Sequence, residues 1–318
     1  MRGMGPPTLS DLPAPPRGQE GWPWTAASEP LPERMPDGGP WPRVSIVTPS
    51  YNQATYLEAT LRSVLLQGYP NLEYFVMDGG STDGSTAVLR RYEAWLAGWV
   101  SEPDHGQSHA INKGLARATG EILAWLNSDD LYEPDALGTV ARCFAARPAC
   151  DLVYGRGSSI DEEGKRIAPC DWIRPFDRRL YLTSNFILQP AAFWRRRLWE
   201  EAGDLDVDTH YTMDWEWFLR ATAVSEPHFE PVELALWRIH PEIKTATGGE
   251  RRRAEIAAVS RHHGGFWQPT NLVYLLDRIA WGAERRLGAG RAYRFYRHAT
   301  TPVRWLLKKR LWKDRYQA

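Results

Sequence analysis

The chain has 318 residues, 43% hydrophobic and 25% charged, and its 39 Lys+Arg balance 39 Asp+Glu, so global charge gives no argument for nucleic acid as a partner. Three cysteines, Cys143, Cys150 and Cys170, form no CxxC pair and fit reduced thiols in a cytoplasmic protein better than a disulfide framework. No apolar run approaches the roughly 18–20 residues that span a bilayer, and the N-terminus lacks the apolar core of a signal peptide, so a soluble or peripheral protein is expected.

Residues 1–42 hold 11 of the 24 prolines and almost no hydrophobic periodicity. Such a stretch buries too little surface to offset its ordering entropy, which predicts a disordered arm. Trp22, Trp24 and Trp41 are the side chains able to dock locally on the body.

Order begins at Val44. VSIV (44–47) reads as a buried parallel strand ended by Thr48-Pro49. In 54–67, Leu57, Leu61, Val64 and Leu65 recur at helical spacing, and Gly68 with Pro70 stops the helix. A second strand is predicted at 72–77, a helix running to about Leu96, another helix at 109–118, and a third strand at 121–126 that runs into Asn127-Ser128-Asp129-Asp130. This alternation is the mark of an α/β sheet, in which ligands sit at the carboxyl ends of the strands. Polar residues gather at those ends: Ser50-Tyr51-Asn52, Asp78 and Asp129.

Past residue 150 the pattern loosens to a strand at 151–154 and a helix at about 214–223. From 271 to 318 there are 12 Lys/Arg against 3 Asp/Glu, interleaved with aromatic residues. A solvated helical face is the default reading of that tail. Contact with an anionic membrane surface is the functional one, and nothing resembling a nucleic-acid module accompanies it.

Five segments taken together are specific: VSIVTPSYNQ (44–53), MDGGSTDGS (77–85), SEPDHGQSHAINKG (101–114), GEILAWLNSDD (120–130) and MDWEWFLR (213–220). In order and spacing they resemble the blocks of the family-2 glycosyltransferases over about residues 43–245. The resemblance implies a three-layer α/β/α GT-A fold with a mostly parallel central sheet, with a nucleotide-binding half at 43–130 and an acceptor half at 131–245. A basic helical extension would follow at 246–318. It further implies an inverting transfer of sugar from a nucleoside-diphosphate donor to a saccharide or lipid-linked acceptor, in cell-surface polysaccharide or glycolipid synthesis.

Such a transfer must neutralise a diphosphate leaving group and deprotonate an alcohol, tasks suited to a divalent cation and a carboxylate. By resemblance, Asp129 matches the acid that holds Mg²⁺ or Mn²⁺, and Asp214 the general base. Pro49, Ser50 and Tyr51 would flank the nucleoside and Asp78 the base or ribose. Asn112 and Lys113 would lie by the diphosphate or donor sugar, beside Asn127 and Ser128. His240 is a further candidate for the metal shell, against the common case of a structural histidine, and Lys244 a candidate phosphate contact. Gln189 would shape the acceptor pocket, with Trp215 and Trp217 offering aromatic faces to sugar C–H groups.

The chain departs from the family pattern at three points: Asn127 stands where an Asp begins the DxD-like motif, Gly79 follows Asp78 where a second acid is common, and Met213 replaces an acid before Asp214. These leave open a non-catalytic sugar-nucleotide-binding or scaffold protein of the same fold. A nicotinamide oxidoreductase is excluded, because TPSYNQ occupies the position of a GxGxxG turn.

Overall fold

A computed structural model describes residues 5–244 and 248–265. The basic segment 271–318, with the membrane contact expected of it, lies outside the described residues. The chain divides into two units, residues 1–178 with 185–253, and residues 179–184 with 254–318.

In the first unit, β1 (Val44–Ser50) is buried at every position, as befits a strand flanked on both sides. It pairs in parallel with β2 (Leu72–Asp78) and with β4 (Ile122–Trp125), and β2 pairs in parallel with β3 (Gly98–Ser101). Parallel neighbours need helical crossovers. These are α1 (Ala54–Leu65), α2 (Ser85–Tyr92) and α3 (Gln107–Leu115). A Cβ at Gly114 would collide with Val47, so α3 rests directly on the sheet and only glycine permits that approach. The short edge strand β3 went unread in the sequence, which makes the strand expected at 121–126 the fourth rather than the third.

Strand order in this half is β3-β2-β1-β4. The chain winds outward from β1 through β2 to β3 and then returns to β1's other side, which makes the β1/β4 crevice the topological switch point.

Beyond β4 the sheet is mixed rather than mostly parallel. The elements that follow are β5 (Leu131–Tyr132), α4 (Ala136–Ala146), β6 (Leu152–Ile160), β7 (Arg166–Pro169) and α5 (Arg178–Tyr181). The last are β8 (Ala192–Arg195), α6 (Arg196–Ala202), α7 (Met213–Val224), β9 (His228–Arg238) and α8 (Gly249–His262). Strand β8 lies antiparallel to both β4 and β6, and β9 runs parallel to β6. Strands β5 and β7 pair antiparallel with β9 and β6. In the second unit, Ser260 on α8 donates to the Leu182 carbonyl at 2.7 Å.

The N-terminal arm is not disordered over its described residues; it is packed. Prolines offer no N–H and keep it out of the sheet, but their carbonyls remain acceptors. Arg62 of α1, fully buried, uses two of them and a tryptophan carbonyl: Nε donates to Pro23 O (2.9 Å), Nη1 to Pro13 O (2.8 Å) and Nη2 to Trp24 O (2.8 Å). Trp22 donates to Tyr132 O at 2.9 Å, and Leu12, Met35 and Trp41 are buried. The ordering entropy is offset by one guanidinium and a few large side chains rather than by a periodic apolar face. No helix among the described residues is long and apolar enough to cross a membrane.

Candidate active site

The ends of β1 and β2 meet side by side, with Ser50 opposite Asp78. The Asp78 carboxylate is turned into the protein: it accepts from Ser81 N (2.9 Å), Gly80 N (3.2 Å), Ser81 Oγ (2.5 Å) and Ser101 Oγ (2.6 Å). It therefore pins the loop after β2 to β3, and the direct contact to base or ribose expected of it is not what its geometry provides. Ser50 does fit a ligand contact, because its hydroxyl is buried without a hydrogen-bond partner among the described residues, a costly state that an incoming polar group relieves. Beside it Tyr51 is 63% exposed, a bare aromatic face at a strand end.

Sequence reasoning missed Asp104. A Cβ at Gly79 would come within 2.9 Å of Asp104 Oδ2 and 3.3 Å of the Tyr51 ring, so Asp104 reaches into the space that Gly79 leaves. Its Oδ1 accepts from Gly106 N at 2.7 Å, while Oδ2 has no hydrogen bond among the described residues. The signal was present in the segment Pro103-Asp104-His105-Gly106, where a glycine with φ +100° follows an acid.

After β4, the acidic turn sorts its side chains. Asp130 is buried and structural: Oδ1 accepts from Arg238 N (3.0 Å) and Oδ2 from Asn127 Nδ2 (3.1 Å). Burial and the neighbouring Asp129 charge push its carboxyl well above the ordinary range. Asn127 also donates to Gln189 Oε1 (3.2 Å) and accepts from Gln107 Nε2 (2.6 Å). Gln189 in turn donates to Trp125 O (2.8 Å), so it braces the turn from behind with both polar atoms occupied.

Asp129 keeps a carboxylate partly open to solvent, and its Oδ2 lies 3.0 Å from the Nε2 of buried His240. The Tyr56 ring packs against both His240 and the Arg238 guanidinium, each 4.9 Å away, and Arg238 Nε holds Asp129 O at 2.8 Å. The histidine is thus fixed in place rather than exposed. Two ligands in adjacent positions on an octahedral ion, each about 2.1 Å from it, stand about 3.0 Å apart. That spacing matches Asp129 and His240, and the pair fits a hard divalent cation that keeps several waters.

Asp214 sits in the first turn of α7 and is partly exposed. Its Oδ2 accepts from Asn185 Nδ2 at 3.2 Å. Burial raises its pKa against the opposing effects of the Trp215 backbone N–H, Asn185 and the Arg252 charge. A raised carboxylate is the better proton acceptor. The segment 185–189 carries both Asn185, on Asp214, and Gln189, on Asn127, so about 14 Å of chain at most separates the two anchor points. A second link runs from His240, on Asp129, to Lys244, whose Nζ donates to His210 O at 3.3 Å, four residues before Asp214.

Other expected contacts are displaced. Asn112 is spent on a two-way clamp with Leu205, donating to its carbonyl (2.9 Å) and accepting from its N–H (3.0 Å). Lys113 pairs with Glu102 at 2.5 Å, an exposed partner that a phosphate could replace. Trp217 is fully buried, 4.7 Å from Trp194 and 5.2 Å from Trp199, and Trp215 is buried too. Neither can offer a face to a sugar; the helix that presents Asp214 uses them as its core. Met213 receives a contact from Ser108 Oγ at 2.9 Å.

Comparison with known proteins gives the same frame. The model for Glycosyl transferase family 2 matches residues 45–202. An uncharacterised glycosyltransferase of Mycobacterium tuberculosis, Rv1514c, is 33% identical over 192 residues, covering 58% of this chain and 71% of the relative. A PGL/p-HBAD biosynthesis glycosyltransferase of Mycobacterium bovis is 32% identical over 56% of this chain and 69% of its own length. Among solved structures, the mannosyltransferase PcManGT of Pyrobaculum calidifontis, in complex with GDP-Man and Mn²⁺, superposes with a TM-score of 0.55 at 21% identity, covering 86% of this chain and 88% of that one.

Proposed function

The chain belongs to glycosyltransferase family 2, and from that premise we propose that it transfers a sugar from a nucleoside diphosphate to an acceptor hydroxyl in one inverting displacement. The reading is carried by one arrangement: the solvent-facing Asp129, paired with His240, and the raised carboxylate Asp214 are joined through the single short segment 185–189.

Each residue then has a task. Tyr51 supplies a stacking face for the nucleobase, with the unpaired Asp104 Oδ2 accepting from its ring N–H, and Ser50 gives its unsatisfied hydroxyl to the nucleoside. Asp129 and His240 would hold Mg²⁺ or Mn²⁺, and the ion would supply positive charge against the charge gathering on the diphosphate. Lys113, released from Glu102, adds a point charge there. Asp214 takes the acceptor proton as the acceptor oxygen bonds to the anomeric carbon. The bond from that carbon to the phosphate oxygen breaks, and its electron pair leaves with the nucleoside diphosphate. The saccharide or lipid-linked acceptor of a surface polysaccharide or glycolipid is the class we favour, supported by the named role of the Mycobacterium bovis relative.

The test is to incubate the protein with Mn²⁺ and UDP-, GDP-, dTDP- and CMP-linked sugars, with and without acceptor glycans, and to follow release of the free nucleotide. Acceptor-stimulated release of a nucleoside diphosphate from one donor supports the proposal. Tight donor binding with no turnover on any acceptor, unchanged by Asp214→Asn, favours a binding protein instead.

A further inference from the structure

A second constellation lies at the opposite end of β9 from His240. Cys143, in the last turn of α4, is buried against His228 and Glu230, which share one face of β9 because they stand two residues apart. One ligand atom from each of the three falls within 4.8 Å of the others. Cys143 Sγ is 3.4 Å from Glu230 Oε2, and His228 Nε2 is 3.1 Å from that same oxygen.

These spacings have a specific meaning. Around a tetrahedral zinc ion, with bonds of about 2.3 Å to sulfur and 2.0 Å to nitrogen or oxygen, a thiolate and a carboxylate oxygen stand about 3.5 Å apart, and an imidazole nitrogen and that oxygen about 3.3 Å. Both measured separations lie within 0.2 Å of those values. We propose that Cys143, His228 and Glu230 form a three-ligand site for a soft divalent cation of the zinc class, completed by water. This site is separate from the donor-binding centre and clips the end of α4 to the start of β9.

The surroundings suit such a site. His228 and Glu230 keep 27% and 22% of their side chains exposed, which leaves an entry path, while Cys143 closes the inner wall. Arg147 Nη1 lies 3.5 Å from the sulfur and favours its thiolate form. An incoming cation must expel the thiol proton of Cys143, so binding should strengthen as pH rises. A thiolate also selects against the Mg²⁺ and Mn²⁺ that oxygen ligands prefer. The clip has structural purpose: β9 runs from His228 to Arg238, roughly 30 Å of strand, and its far end supplies the Arg238 and His240 that hold the Asp129 turn.

The experiment is a titration of Co²⁺ into the reduced full-length protein, read by thiolate-to-cobalt charge-transfer absorption, with Zn²⁺ as competitor. The expected result is a band that saturates at one equivalent and is displaced by Zn²⁺. Cys143→Ser should abolish it, and Glu230→Gln or His228→Gln should weaken affinity by more than the roughly 10–100-fold that loss of an outer-shell partner costs. These two replacements are at part-exposed positions and serve if Cys143→Ser fails to fold. Asp129→Ala should leave the band intact. No sulfur-to-metal band at stoichiometric cobalt, or a band that survives Cys143→Ser and vanishes in Cys150→Ala, overturns the assignment.

Discussion

Asn127 donates its amide hydrogens to the carboxylate of Asp130 at 3.1 Å and to Gln189 at 3.2 Å, so the residue standing where family members carry an acid is a donor here by necessity. A carboxylate at 127 would remove that donor and place a charge beside a buried carboxyl that burial, and then the Asp129 charge, already hold well above the ordinary range. Asn127→Asp is therefore expected to cost about 2–3 kcal/mol, the scale of a buried hydrogen bond turned into an unsatisfied contact. The loss should shrink as pH falls, because protonation restores a donor. Chemical denaturation of wild type, Asn127→Asp and Asn127→Ala across pH checks this; Asn127→Asp as stable as wild type at pH 8 would contradict it.

His240 and Asp129 give a metal prediction. His240→Ala should raise the Mn²⁺ concentration for half-maximal nucleotide release by about tenfold or more, since even outer-shell partners are worth that much. Tyr56→Phe, which keeps the packing ring, should change it little. A Mn²⁺ titration of all three proteins decides the point, and a Mn²⁺ response that His240→Ala leaves unaltered would remove the histidine from the shell.

How much of this was legible depended on whether the signal was periodic. Strand β1 and helix α1 were readable within a few residues, because a continuous β-branched run and a 3–4 apolar spacing survive in one dimension. Strand β3 was invisible: four residues starting at Gly98 carry no pattern, and only pairing with β2 defines them. The arm was misread because the buried Arg62 that holds it lies 49 residues from Pro13. Asp129 and His240 were both named, but their pairing across 111 residues exists only in the folded chain. Asp104 stayed hidden since its role depends on the space above Gly79, and the two tryptophans of α7 were placed on the wrong face because helix periodicity does not say which side meets the core.

The arm offers a stability test. Arg62→Ala leaves the carbonyls of Pro13, Pro23 and Trp24 without their donor. Charge-assisted hydrogen bonds are worth about 1.5–3 kcal/mol each, and release of the arm to water recovers part of that. A net loss of about 3 kcal/mol is expected, together with new proteolytic cleavage within 5–42. Limited proteolysis with mass mapping, run beside thermal melts, would show it. Protection equal to wild type would mean that the buried tryptophan, methionine and leucine hold the arm without the guanidinium.

Asp214 carries the pH dependence of turnover. As the base it must be ionised, so kcat should fall as pH drops through its folded-state pKa, which burial has raised above the ordinary carboxylate range. Asn185 works against that rise by hydrogen bonding to the charged form at 3.2 Å. Removing it with Asn185→Ala should move the acidic limb of the kcat profile to higher pH, while Asp214→Asn should lower kcat by about 10²–10⁴-fold above that limb, with the deficit shrinking at lower pH, and leave donor affinity near wild type. Stability has the opposite sign. A carboxyl with a raised folded pKa binds its proton more tightly when folded, so it favours the folded state fully below the unfolded value and loses that contribution as pH rises through the folded one. Asp214→Asn, neutral throughout, should therefore melt higher than wild type at pH 8, with the gap closing toward pH 4. Matched kcat profiles and melting curves separate the two roles: a limb that Asn185→Ala does not move would place the titrating base elsewhere in the cleft.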